Sequence, residues 1–399
     1  MEASVNEILR NWRDCWPGGL DRRAYSTLNL MAHCRTGVLG YNQARCKECS
    51  HKEWYASSCG DRHCPRCLGP RQAEWSQKTC ERLPDCPHFH LVFTLPQEVN
   101  EFFKENYREA ADVFFGAVSE TISTFLRNNW GCEKGAYFSV LHTWGSNLSW
   151  HPHVHVLISA GGVSRGTGEW KKVRPGYAFP VKGAMSRVFG SIFLRRLEES
   201  DGRRGINWPK GLETVEARRA WRVRLAGRHW NIFAKATLGN TKAVVRYLAR
   251  YTSRIAISNH RIKRVDPLRK RVSISYKDYR EGGQRKEMEF SGREFIRRFA
   301  QHLIPEGFRR IRQYGLLCGK AGRIREVAGA PQDSIAEKGL PPKAPACPKC
   351  KREEAWEFGR THIRVCRKEL LSFSLGGASA GSRPSPTSGW TQTLPPAPG

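Results

Sequence analysis

From residue 88 to about residue 325 the chain switches between two rhythms of apolar and polar positions. A two-residue rhythm marks "HFHLVFTL" (88–95), "YFSVLHTW" (137–144) and "HPHVHVLISAGG" (151–162), and each is predicted to be a strand. "GSNLS" (145–149), between the last two, is rich in turn formers, so those two strands should pair as a hairpin. In the third run Val154, Val156 and Ile158 share one face, while His151, His153 and His155 share the other. His88 and His90 likewise fall on one face of the first run. Pro152 removes a ladder hydrogen bond, which places His151 just before the regular strand. A helical rhythm takes over in "GNTKAVVRYLARYTSRIAISNHR" (239–261). There Val244, Val245, Leu248 and Ile255 form a stripe, and the spacing predicts a helix over 241–254 capped by Asn240 or Thr241.

The rhythm is absent at both ends. Residues 1–85 hold a dense block of cysteine and histidine. After residue 325, "VAGAPQDSIAEKGLPPKAPA" reads as a linker, followed by a short cysteine-bearing piece. "SFSLGGASAGSRPSPTSGWTQTLPPAPG" reads as a low-complexity tail expected to be disordered. Three units are therefore expected, with boundaries at 1–85, 86–325 and 326–399.

Charge narrows the partners. The 399 residues carry 67 Lys+Arg against 37 Asp+Glu, a formal +30, which suits a polyanion such as nucleic acid. No apolar run approaches the ~18 residues of a membrane span, and "MEASVNEILRNWRDCW" has no apolar signal region, so a cytoplasmic protein is expected. Residues 242–325 concentrate the charge, with 23 Lys+Arg against 7 Asp+Glu. Tyr276, Tyr279 and Phe290 lie among them as candidates for stacking on unpaired bases.

Fourteen cysteines without an export signal point to metal rather than disulfides. In "CKECSHKEWYASSCGDRHCPRC" two C-x-x-C pairs, Cys46 and Cys49, then Cys64 and Cys67, are separated by fourteen residues. That spacing predicts a structural zinc ribbon with these four as ligands, a closed tetrahedral set without a catalytic position. Cys34, Cys59, His51 and His63 remain, either as a second site or as replacements for one of the four. Cys347 and Cys350 form a further pair, for which His362 and Cys366 are the nearby partners. Arg62, Arg66 and Arg71 suit phosphate contacts, and a solvated charged face explains them equally well.

Two imidazoles one strand repeat apart can hold a divalent ion from one side and leave room for a phosphate oxygen. On the predicted helix Tyr247 and Tyr251 are four apart and stacked, and Arg246, Arg250 and Arg254 follow the same spacing. A phenol with pKa near 10 attacks phosphate poorly, so it needs a polarising metal and cations to neutralise developing charge. A half-buried amphipathic helix without chemistry remains the plainer alternative.

Taken together, "HPHVHVLISAGG", "VVRYLARYTSRIAISNHRI" and "YKDYREGG…EFIRRFAQHLIPEGFRRIRQYG" resemble the HUH-type rolling-circle transposases of the insertion-sequence ninety-one family. "YASSCGDRHCPRC…RQAEWSQ…PHFHLVFTLP" is similar to that family's N-terminal zinc region, and the likeness runs from about residue 20 to 325. The resemblance implies an α+β HUH endonuclease fold, with a central antiparallel sheet flanked by helices. An N-terminal zinc-ribbon-like domain precedes it. His153 and His155 fall on the family's His-hydrophobic-His pair, with His151 as a further metal candidate, and Tyr247 and Tyr251 on its two-tyrosine motif. Mg²⁺ or Mn²⁺ is implied at the histidines, though imidazoles also accept Zn²⁺. Single-stranded DNA at element ends and target DNA is the implied substrate, cut and rejoined through a 5′-phosphotyrosine. Arg246, Arg250, Arg254, Arg261 and Lys263 are the expected DNA contacts. Two other readings stay open: a plasmid or phage replication initiator with the same chemistry, and a non-catalytic zinc-dependent DNA-binding protein.

Overall fold

The computed structural model describes residues 3–359 apart from 69–74, 76–77, 80–81, 85, 174–180, 203–204, 238–254, 279–280, 319–345 and 353–355. Helices α1 (Val5–Asn11) and α2 (Arg22–Ala32) precede strands β1 (Tyr41–Cys46) and β2 (Lys52–Ala56). Next come β3 (His88–Thr94), α3 (Asn100–Glu105), α4 (Tyr107–Phe125) and two long strands, β4 (Cys132–Trp144) and β5 (Trp150–Ser164). Strand β6 (Trp170–Lys172) is followed by α5 (Ser186–Glu199), α6 (Val215–Ala226) and β7 (Ile232–Thr237). The remaining elements are β8 (Ile262–Asp266), β9 (Arg271–Asp278), β10 (Gln284–Ser291), α7 (Gly292–Ala300), β11 (Ile311–Gly315) and β12 (Trp356–Gly359). Among the described residues no helix is long and apolar enough to cross a membrane.

The central sheet is antiparallel in the order β11-β4-β5-β3-β7, with β6 joining the far end of β5. This is the α+β arrangement expected from the sequence. Strands β4 and β5 form the predicted hairpin, longer than the alternation alone suggested. Their turn closes through Gly145, whose N–H donates to the Ser149 carbonyl at 2.9 Å. Val154, Val156 and Ile158 of β5, with Leu91 and Phe93 of β3, are fully buried on one face of the sheet. They join one core with Phe114, Val118 and Ile122 of α4 and Phe189 and Phe193 of α5. Helix α4 forms because its apolar residues recur every three to four positions, and those are the residues it buries. Part of the opposite face is covered by Leu83, Leu316 and Leu317 against Phe138, Val140 and Leu157. The rest of that face carries the histidines.

Helices α1 and α2 do not build a core of their own. Val5, Leu9 and Trp12 belong to the same apolar cluster as Phe295 and Phe299 of α7. A Cβ on Gly292 would stand 2.7 Å from the Trp12 ring, so only glycine permits this approach of α7 to the N-terminal segment. Ser291 caps α7 by accepting from the Glu294 N–H at 3.2 Å. Strands β10, β9 and β8 form a second antiparallel sheet beside it. Phe290, expected to stack on bases, is 6% exposed and covered by the Arg298 guanidinium at 4.8 Å. Its strand is amphipathic, and Phe290 faces the core.

Candidate active site and metal centres

The register of three neighbouring strands assembles an imidazole cluster. His142 of β4 stands opposite His153 of β5, and His155 lies opposite Val140 on β4 and Val92 on β3. Ligand atoms of His142, His153 and His155 lie within 4.8 Å of one another. His151 is not in this group and is exposed. Between the pairs His142–His153 and Trp144–Trp150, β4 spends one residue, Thr143, and β5 spends two, His151 and Pro152. The proline sits in this bulge, where no ladder hydrogen bond is asked of it, and the strand starts earlier, at Trp150. The bulge ends the simple alternation, which is why His142 takes the third place instead of His151.

Hydrogen bonds fix which ring nitrogens face the cluster. The Nδ1–H of His153 donates to the His151 carbonyl at 2.7 Å, leaving Nε2 as the lone-pair nitrogen. His155 Nδ1 lies 2.9 Å from Nε2 of His90, which is stacked on it with ring centroids 5.1 Å apart. For His155 to offer Nε2 to an ion, its Nδ1–H must be the donor and His90 the acceptor. Burial drives the His155 pKa well below the ordinary imidazole value and holds His153 and His90 at about 4. These rings are neutral at physiological pH, so their lone pairs are available. A donor set without a carboxylate leaves a divalent ion's charge uncompensated and open to phosphate. Buried Arg310, its guanidinium 5.7 Å from the Trp144 ring, is pulled down to about 10 by desolvation and stays cationic beside the cluster.

Replacing the His155 acceptor is expected to weaken this site without removing a ligand. His90→Phe should lower Mn²⁺ affinity by about 10–100-fold, and His90→Gln, whose amide oxygen accepts, should recover part of it. Calorimetric titration measures both, and unchanged affinity in the Phe variant would remove His90 from this role.

Tyr247, Tyr251, Arg246, Arg250 and Arg254 lie outside the described residues, as do Tyr279 and Arg71. Lys263 is exposed on β8. Arg261 is placed differently from the expectation of a DNA contact. Its Nε and Nη2 donate to the Ser275 carbonyl at 2.9 and 2.8 Å, and Nη2 also reaches the Ser146 carbonyl. Through these donors it braces the β4–β5 turn against β9.

Eight of the described cysteines sort into two clusters, and neither is the expected set. Cys34, Cys59, Cys64 and Cys67 converge, with Sγ atoms 3.6 Å apart for Cys34–Cys67 and Cys59–Cys67. Cys46 and Cys49 converge instead with Cys347 and Cys350. The C-x-x-C spacing gives two thiols a common partner but does not choose it, so Cys34 and Cys59 replace Cys46 and Cys49 beside Cys64 and Cys67. A tetrahedral ion with Zn–S near 2.3 Å sets its sulfurs about 3.8 Å apart, which both clusters approach. In the first cluster the Asn6 Nδ2–H donates to Cys64 Sγ at 3.2 Å, and the Cys59 N–H donates to Cys34 Sγ at 3.4 Å. Such donors suit thiolates. His63 is not a ligand: its Nδ1–H donates to Asp61 Oδ1 at 2.7 Å and its Nε2 accepts from the Ile304 N–H at 2.9 Å. Arg62 donates to the carbonyls of Phe308 and Pro305 at 2.9 and 2.8 Å. Both side chains, next to the knuckle, latch it to the segment before β11.

Residues 5–95 match the family model described as a transposase zinc-binding domain, and residues 136–324 match one described as a putative transposase. A "Putative transposase y4qJ" of Sinorhizobium fredii is 36% identical over 351 residues, covering 86% of each chain. The chain belongs to the insertion-sequence ninety-one family of transposases. The transposase for insertion sequence element IS801 of Pseudomonas savastanoi pv. phaseolicola is 29% identical over 316 residues, covering 77% of this transposase and 74% of the relative. Among solved structures, the conjugative relaxase TrwC in complex with oriT DNA aligns over 41% of this chain and 71% of its own, with 12% identity and a TM-score of 0.23. The first cysteine cluster lies inside the zinc-binding domain of the transposase. The imidazole cluster lies inside the second matched region and at its edge, with His142, His153 and His155 all between residues 136 and 324.

Proposed function

We propose that this transposase nicks and rejoins single-stranded DNA at the ends of its insertion sequence through a 5′-phosphotyrosine intermediate. His142, His153 and His155 hold the divalent ion in this reading, and Tyr247 and Tyr251 are the nucleophiles. The observation that carries it is the group of three imidazoles on neighbouring strands, with Nε2 of His153 left as a lone-pair donor by the Nδ1 bond to His151. Bound Mg²⁺ or Mn²⁺ would draw charge from the scissile phosphate, which is the help a phenol needs. The phenol of one tyrosine gives up its proton as its oxygen bonds to phosphorus, the bond from phosphorus to the 3′ oxygen breaks, and that oxygen takes up a proton in exchange. Attack by a 3′-hydroxyl on the phosphotyrosine reverses the exchange and releases the tyrosine. Lys263 and the arginines of the 241–254 segment supply phosphate contacts, in keeping with the 23 Lys+Arg against 7 Asp+Glu of residues 242–325.

A replication initiator would share this chemistry, and kinship with two transposases favours mobilisation of an element. The test is incubation of the protein with single-stranded DNA from the element's ends and Mg²⁺. A covalent protein–DNA adduct resistant to denaturation is expected. Nicking without any adduct would overturn the phosphotyrosine step.

A further inference from the structure

Strand β12 does not belong to a separate C-terminal piece. It pairs antiparallel with β1, with Cys46 opposite Trp356 and Ala44 opposite Phe358, so that β12-β1-β2 is one three-stranded sheet. At the end of that sheet Cys46 and Cys350 bring their Sγ atoms to 3.6 Å across 304 residues of sequence. Cys49 and Cys347 do the same, at 3.6 Å across 298 residues.

The two C-x-x-C turns are built alike. The Cys46 N–H donates to the His51 carbonyl at 2.7 Å and the Ser50 N–H to the Cys46 carbonyl at 2.9 Å. In the other turn the Cys347 N–H donates to the Arg352 carbonyl at 2.9 Å and the Lys351 N–H to the Cys347 carbonyl at 2.7 Å. Ser50 and Lys351 are both left-handed, with φ of 59° and 61°. A non-glycine residue pays for that conformation only where the surroundings demand it. Two matching turns each present two thiols to a common centre, and Arg352 spans them to reach Glu48 at 3.2 Å. Ala44, Cys46, Cys347 and Trp356 form a buried cluster of their own, apart from the main core, with Cys49 and Cys350 packed against it. That cluster is too small to hold the two segments together unaided, which is the situation in which a metal supplies folding energy.

We infer that Cys46, Cys49, Cys347 and Cys350 bind a second zinc ion, which clasps the 347–359 segment onto the N-terminal ribbon. The matched zinc-binding domain ends at residue 95 and the matched transposase region at residue 324, so neither contains the distal pair. His362 and Cys366, the partners suggested by proximity in sequence, lie outside the described residues, and the four thiols converge without them. The C-terminal pair completes the N-terminal one, and the first cluster keeps its own four thiolates.

Cobalt substitution tests this, because thiolate-to-cobalt charge-transfer absorption counts thiolate sites and is silent for an imidazole site. The full-length protein should bind two equivalents of Co²⁺ in thiolate sites. Cys347→Ser/Cys350→Ser should lose one of them, about half the absorption, and Cys64→Ser should lose the other. Full charge-transfer intensity in the Cys347→Ser/Cys350→Ser protein would overturn the inference, and so would a single thiolate site in the unsubstituted protein. A second test does not depend on a cysteine variant folding. With a protease site inserted between residues 332 and 333, the cleaved C-terminal fragment should stay with the body on gel filtration until a chelator strips the metal. Release of the fragment while zinc remains bound would contradict the clasp.

Discussion

His155→Ala is expected to lower nicking of single-stranded DNA by at least about a thousand-fold, some 4 kcal/mol of barrier, while DNA affinity changes little. His155 is buried, its ring meets both other imidazoles, with centroids 4.5 Å from His142 and 4.9 Å from His153, and it is bonded to His90. In the proposed reading, removing it would take a ligand from the three-imidazole set, and it would leave His90 facing a hole. Affinity should survive because binding rests on many basic side chains and counterion release, not on one phosphate. The measurements are single-turnover cleavage in Mg²⁺ and a binding isotherm at fixed salt. Cleavage at the ordinary rate would place the ion elsewhere. Equal losses of binding and cleavage would mean that the variant had unfolded.

The second large effect concerns the tyrosines. Tyr247→Phe and Tyr251→Phe each keep the ring and delete the attacking oxygen. If both are nucleophiles, each single variant should still form some covalent adduct on short single-stranded DNA, and the double variant none. Stacking one helical turn apart, about 5–6 Å between Cβ atoms, would let both address one phosphate region. Complete loss in one single variant with the other unaffected would reduce the pair to one nucleophile, and Tyr251 is the expected survivor. An adduct persisting in the double variant would refute tyrosine chemistry altogether.

Much of the sheet could be read from the alternation of side chains. The β4–β5 hairpin, the buried row of Val154, Val156 and Ile158, and the placement of His88 and His90 on one face all follow from a period of two. The third imidazole did not, because it depends on cross-strand register. His142 meets His153 only once the turn and the Pro152 bulge have set that register, and a bulge leaves little mark beyond the proline itself. The partners of Cys46 and Cys49 were hidden for a related reason. Local spacing makes a turn, whereas the choice of opposing turn lies in contacts some three hundred residues away. Phe290 shows the limit of composition: an aromatic residue in a basic region need not face solvent, and here it is spent on packing under Arg298.

The latch formed by Arg62 and His63 has a consequence for how the chain is assembled. These side chains wait for the carbonyls of Pro305 and Phe308 and the N–H of Ile304, which lie 241 to 246 residues downstream. Strand β11, which follows that segment, is the last to join the central sheet and borders the strand that carries His142. During synthesis, then, the thiolate loop can set early, while the sheet edge stays open until nearly the whole catalytic region has left the ribosome. A nascent transposase would therefore lack, for most of its translation, the settled neighbour of the strand that carries His142.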